Sequence, residues 1–250
     1  MNLYANLKSD LYKFFHTPLW IIHLIVPFVG AALFLWCYSV LSWDETTKLA
    51  AYIQILSVTF PVLIGIIISM LTEEEQGAGD FQLLLSAPSA KYIAHISKII
   101  VLLIFGFVSS LLALVLFGIG FIKMGYVIFN ITFYVKVGCL LFFSVLPIYL
   151  IQYIIGFIKG KGYGISLGIL GGLVSALLLT GLGDGIWWML PWGIVARFSE
   201  TLLVSDLANI EFLHYSGIIT SIVFILLFFA VFSLLIFWIF RKWEGRKSQE

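Results

Sequence analysis

The sequence predicts an all-α membrane protein with six transmembrane helices, folded as one domain over residues 1–250. Two observations lead there. Hydrophobic residues make up 62% of the chain and charged residues only 11%, where a soluble domain carries about 25%, so a water-facing surface cannot be covered; the mean hydropathy is +1.10. The apolar residues also gather into segments near the roughly 20 residues that a bilayer demands of a helix. Six segments qualify, at about 18–42, 50–71, 96–121, 133–157, 164–181 and 217–240.

The first fifteen residues carry a helical stripe of Leu3, Leu7, Leu11, Phe14 and Phe15, with Lys8, Asp10 and Lys13 elsewhere on the wheel. Residues 1–17 are therefore expected as a helix lying flat at the membrane interface, with Thr17-Pro18 marking the turn into the first span. The polar start lacks the short apolar core of a signal peptide, and insertion is expected to use the first true span. Cys37 and Cys139 fall inside apolar runs with no metal or redox spacing. The net charge of +1 offers no basic face, so a nucleic acid is not an expected partner.

Six spans place both termini on one side. With that side inside, ten basic residues are internal (Lys8, Lys13, Lys91, Lys98, Lys159, Lys161, Arg241, Lys242, Arg246, Lys247) and four external (Lys48, Lys123, Lys136, Arg197), which accounts for the fourteen present. The positive-inside rule puts both termini in the cytoplasm. Pro27, Pro61 and Pro147 lie within spans one, two and four and predict kinks. In the fifth span Gly164, Gly168, Gly172 and Ala176 recur every fourth residue, a small-residue face that lets two helices approach closely. That face suits another span of the same chain or a second subunit. No carboxylate lies deep in a span, unlike an ion-coupled carrier, so energy for active transport has to come from elsewhere.

One polar segment stands out between spans two and three, at 72–95: "EEEQGAGDFQLLLSAPSAK", Glu73 to Lys91. Glu73, Glu74 and Glu75 follow a helix end, which already carries partial negative charge. Lys91 and Lys98, or a partner's arginines, are expected to offset them. Gly77 and Gly79 permit a sharp bend. Asp80 is positioned to cap a helix over 80–87, with Phe81, Leu84 and Leu85 on one face, Pro88 ending it and Ser89 capping the next helix. Two turns with an apolar face do not stand alone in water and need a socket.

This stretch resembles the permease subunits of ABC-2-type (type V exporter-like) transporters, and more narrowly those of lantibiotic immunity transporters, of the LanE and LanG type. The residues that carry the likeness are Glu73, Glu75, Ala78, Gly79, Phe81, Leu84, Leu85, Pro88 and Lys91. The resemblance implies a cytoplasmic coupling helix seated in a separate ATP-hydrolysing subunit, with Glu73, Glu74, Glu75, Gly79, Asp80, Phe81, Leu84, Leu85, Pro88 and Lys91 as the coupling residues. It also implies two permeases, alike or different, pairing in a bacterial plasma membrane. The implied task is self-immunity by expelling an antimicrobial peptide from the bilayer. No cofactor is expected in this chain, ATP and Mg²⁺ belonging to the partner. A P-loop needs G-x-x-x-x-G-K-[ST], and the nearest string, "KGKGYG" from Lys159, lacks the spacing and the hydroxyl.

Residues 182–216 are expected as an outer loop. Asp184, Glu200, Asp206 and Glu211 against Arg197 leave it acidic, and Trp187, Trp188 and Trp192 cluster at its start. One reading is an aromatic belt anchoring a re-entrant or interfacial segment. The sharper one is an outer gate in which Asp184, Trp187, Trp188 and Trp192 meet a cationic, amphipathic cargo. Competing functions are an ABC-2 permease for a drug, lipid or polysaccharide, and an intramembrane protease-like immunity protein. The latter pairs two glutamates with an arginine four residues on, where this chain has Ala78 or Gly79, so no catalytic or metal-ligating residue is expected.

Overall fold

The computed structural model describes residues 3–86 and 90–246, and among these it contains helices and connecting turns with no strand. The order is α1 (Leu3–His16), α2 (Leu19–Val40), α3 (Glu45–Gly77), α4 (Gln82–Leu85), α5 (Lys91–Lys123), α6 (Ile131–Lys159), α7 (Lys161–Leu179), α8 (Pro191–Ala208) and α9 (Ile218–Arg241). Six of them, α2, α3, α5, α6, α7 and α9, are long and apolar enough to cross a membrane, as the hydropathy pattern predicts. Both described ends of the chain meet at one end of the bundle, where Lys13 of α1 reaches Glu75 and Arg246 reaches Gln76. We call this the terminal end and its opposite the far end.

α3 and α5 are the longest helices. Each has 33 residues, about 50 Å at 1.5 Å per residue against a hydrocarbon core of about 30 Å. Both carry charged turns at the terminal end, with Glu73 to Glu75 in the last turns of α3 and Lys91 at the start of α5. The α3 start is set by Asp44, whose carboxylate accepts from the Thr47 backbone N–H at 2.9 Å and the Thr47 hydroxyl at 2.6 Å. α6 is capped likewise by Asn130, which accepts from the Phe133 N–H at 3.2 Å. These side chains satisfy donors that a helix start leaves open.

The tightest helix pair is α3 with α7. The glycine face of α7 lies on α3 of the same chain: a Cβ on Gly168 would sit 2.9 Å from the Pro61 carbonyl oxygen, and one on Gly164 would strike Ser69 Oγ at 2.6 Å. Ser69 Oγ donates to the Lys161 carbonyl at 2.9 Å, which fixes the register at the terminal end. Gln152 of α6 donates its amide N–H to the Pro61 carbonyl at 3.0 Å, which ties α6 to α3 deep in the bundle. Pro27, Pro61 and Pro147 all sit inside continuous helices.

Lys48, counted among the external charges, is 2% exposed. Its ammonium donates to the Tyr38 carbonyl at 3.1 Å and to the Tyr126 hydroxyl at 2.7 Å, tying the end of α2 to the α5–α6 turn.

Two expectations are corrected. The supposed outer loop is largely helix: α8 has 18 residues and packs against α3, α6, α7 and α9. Ser199 faces Ser57 at 3.5 Å and Glu200 faces Gln54 at 2.7 Å, so α8 lies alongside α3 rather than above it. The face of α1 also differs. Asn6 and Phe14 are buried with Asp10 half-buried beside them, while Leu3 and Phe15 are exposed. The mixed polar face of α1 meets the protein, and part of the apolar stripe is left for lipid.

Candidate functional site

The polar segment between α3 and α5 is built from its charges outward. Lys98 of α5 is 5% exposed. Its ammonium lies 2.6 Å from Glu75 Oε1 and 2.8 Å from Asp10 Oδ1. Lys13 approaches the same Glu75 oxygen at 3.4 Å, and Ser97 donates to Asp10. Two carboxylates and two ammonium groups thus close a neutral cluster joining α1, α3 and α5. Burial at this depth is tolerable only because the charges compensate. Of the two lysines expected to offset the glutamates, Lys98 does so. Lys91 instead donates to the Trp243 carbonyl at 2.9 Å, and Glu73 pairs with Lys161 at 2.6 Å on the surface.

Beyond Gly77 the chain reverses through three consecutive left-handed residues, Gly79 (φ 81°), Asp80 (φ 51°) and Phe81 (φ 67°). Glycine adopts this freely; a phenylalanine there costs about 1–2 kcal/mol, so the surroundings must hold it. The Phe81 N–H donates to the Glu75 carbonyl at 3.1 Å and the Asp80 N–H to the Gln76 carbonyl at 2.8 Å, closing the end of α3. The ring of Phe81 is 1% exposed. Its centroid lies 5.1 Å from that of Trp243 and 6.1 Å from that of Phe157, with the Arg246 guanidinium 5.4 Å away. Leu84 is buried beside it, and Leu85 lies against Gly245.

Here too the structure corrects the expectation. Asp80 does not cap: α4 is a single turn, Gln82–Leu85, preceded by the left-handed Phe81 and without a side-chain cap. The apolar face has a socket within this chain, supplied by α6 and the segment after α9. Pro88 and Ser89, read as the stop of one helix and the cap of the next, lie outside the described residues. What faces outward is polar or small: Glu73, Gln76, Gly79, Asp80, Gln82 and Ser86.

The socket was not read from the sequence. Trp243 and Arg246 belong to "RKWEGR", a stretch that registers only as positive charge. Yet Trp243 also packs on His95, 5.2 Å between centroids, and Arg246 donates to Gln76 at 2.6 Å. His95 stacks on Phe240 at 3.8 Å and bonds the Tyr153 hydroxyl at 2.8 Å. One aromatic cluster therefore joins the turn after α3 to α5, α6 and α9.

At the far end, Arg197 of α8 donates to the Leu178 and Thr180 carbonyls, both at 2.6 Å, and to Asp184 at 2.7 Å. It thereby closes the C-terminus of α7, where partial negative charge collects. Trp187 is buried over Gly217, Trp188 lies near Phe224, and Trp192 wedges against Gly171 with its backbone carbonyl held by Ser175 at 3.0 Å.

The chain matches the family model described as ABC-2 family transporter protein over residues 7–175. It belongs to the ABC-2 transporter family. No curated protein and no solved structure matches it. The match runs from α1 into α7 and includes the whole ion cluster and the turn after α3. The chain is therefore a membrane permease subunit, and the family implies an ATP-binding partner. In this ABC-2 permease the sequence-read residues Glu75, Phe81, Leu84, Leu85 and Lys91 converge at the terminal end, with Glu73, Gly79 and Asp80 on its rim. Glu74 sits between, half-buried. Of the far-end residues, Asp184 is held by Arg197 and the tryptophans take part in helix packing.

Proposed function

We propose that this permease is the membrane half of an ABC exporter whose terminal end faces the cytoplasm of a bacterial cell and docks a separate ATP-hydrolysing subunit on residues 73–86. Two such permeases, alike or different, pair to form the path. The observation that carries this reading is the strained turn at 79–81, held from three sides by the ion cluster, the aromatic cluster and the segment after α9. Strain is retained where surroundings over-determine it, and such turns cluster at functional sites. Held this way, the turn moves with α3 and α5 as one body, so a push on its exposed rim passes directly to two spans.

The cargo best supported is a membrane-active antimicrobial peptide, cleared from the producer's own bilayer. Its support is the resemblance of the 73–91 motif together with an apolar cleft of about 130 Å³ between α2, α3, α5 and α6, lined by His23, Pro27, Phe34, Tyr52, Phe60 and Tyr149. A cargo that partitions into lipid suits such a wall; a free polysaccharide does not.

Reconstitution with the neighbouring ATPase tests the docking. Gln82→Trp adds bulk on the exposed rim without touching the core. It is expected to lower cargo-stimulated ATP hydrolysis at least tenfold at unchanged melting temperature. A variant Ser86→Cys that reacts only with reagents applied outside the cell overturns the reading. Cells carrying the permease and its ATPase should retain less labelled cationic peptide in their membranes; equal retention removes the immunity assignment and leaves the permease.

A further inference from the structure

We propose that a recess at the far end, between α3, α7, α8 and the turn before α9, is a binding site for an organic cation, a primary or quaternary ammonium group. Its walls include Gln54, Trp187, Glu200, Thr201, Val204 and Tyr215. The inference deepens the proposed transport reading by naming a chemical class that this end of the permease receives.

Glu200 is the centre of the argument. Its carboxylate accepts one hydrogen bond from the neutral Gln54 amide at 2.7 Å. Arg197 also borders the recess, but its three donating nitrogens serve Leu178, Thr180 and Asp184. Among the described residues no lysine, arginine or histidine nitrogen pairs with Glu200. A carboxylate withdrawn from water with no cation in contact is costly, and burial holds the Glu200 carboxyl above the ordinary glutamate range against the opposing pull of the Gln54 hydrogen bond and the more distant Arg197 charge. A cation entering the recess relieves that cost.

The walls select which cation. Calcium and magnesium take six or more oxygen ligands, and the recess offers one carboxylate, one amide and the hydroxyls of Thr201 and Tyr215. Among the described residues no group of three or more acidic, histidine or cysteine side chains is placed to hold a metal. Two aromatic side chains, Trp187 and Tyr215, line the same recess instead. Aromatic walls with one anionic group are the recognition chemistry of alkylammonium ions. The ammonium can come from a lysine of an amphipathic peptide or from a lipid headgroup.

The whole chain in phosphatidylglycerol nanodiscs, titrated with tetramethylammonium by calorimetry, tests the site. Saturable binding is expected, with release of protons in weakly acidic buffer as Glu200 ionises. The uncharged 3,3-dimethylbutanol should bind at least tenfold more weakly, and Glu200→Gln should lose at least tenfold in tetramethylammonium affinity. Val204→Lys sets an ammonium four residues from Glu200 on one helix face; it should occupy the recess and abolish probe binding while raising the melting temperature. Displacement by phosphatidylethanolamine in the disc identifies a lipid source, and displacement by a soluble lysine-bearing amphipathic peptide a peptide source. Equal binding of the neutral probe, or wild-type affinity in both variants, overturns the proposal. Because no ATPase takes part, that result leaves the transport reading standing.

Discussion

A lysine ammonium 5% exposed needs carboxylates within reach, and Lys98 has two. Removing it leaves Asp10 without a cation and Glu75 with Lys13 alone at 3.4 Å, so Lys98→Met should lower the unfolding free energy by about 3–5 kcal/mol, measured by denaturant titration in detergent. Lys161→Ala, which breaks an exposed pair with Glu73, should change it by less than about 1 kcal/mol. Glu200 gives the opposite sign. Burial raises its folded-state pKa above the unfolded value, so its contribution to stability is present below the unfolded pKa and is lost as pH rises through the folded one. Glu200→Gln should therefore raise the melting temperature at neutral pH, with the gain vanishing below about pH 4, the ordinary glutamate value. The acidic run 73–75 was legible as needing compensation, because helix-end carboxylates are unfavourable from sequence alone. Asp10 was not: on a helical wheel it belongs to the polar side, and only the approach of α5 turns that side inward.

Helix pairing follows how small the facing side chains are. The α3–α7 contact rests on Gly65, Gly164, Gly168 and Gly172; backbone atoms lie near 3 Å from a Cβ added at Gly65, Gly168 or Gly172, and the Ser69 hydroxyl from one at Gly164. Gly168→Leu cannot be absorbed by a rotamer change and should cost about 1–3 kcal/mol, read as a lowered melting temperature; Gly162→Ala, where a Cβ meets nothing within 4 Å, should be neutral. The small-residue periodicity was visible in the sequence, although it could not say which helix would receive it. α8 was hidden for a different reason. Its serines, Glu200 and Arg197 interrupt the apolar run, and its burial comes from packing on other helices rather than from its own hydropathy. The segment after α9 was invisible because a single Trp243 among basic residues has no period. Trp243→Ala should speed amide exchange in residues 79–86 while leaving α7 unchanged, followed by mass spectrometry.

Across the whole permease, six spans were readable because each is a continuous apolar run, whereas what joins them at the terminal end is charge and aromatic packing between residues far apart in the chain. The ten-to-four lysine and arginine asymmetry supports a cytoplasmic terminal end. Reagents confined to the outer medium should accordingly label Val127→Cys, in the exposed α5–α6 turn, and spare Ser86→Cys. The packing of the segment after α9 against the turn at 79–81 has a practical consequence. In the proposed docking, a fluorescent protein or affinity tag joined after Arg246 would hang its bulk beside the surface offered to the ATP-hydrolysing subunit. Such fusions can blunt activity without disturbing membrane insertion. Epitopes are better grafted between Val127 and Ile128, on the opposite side of the bilayer.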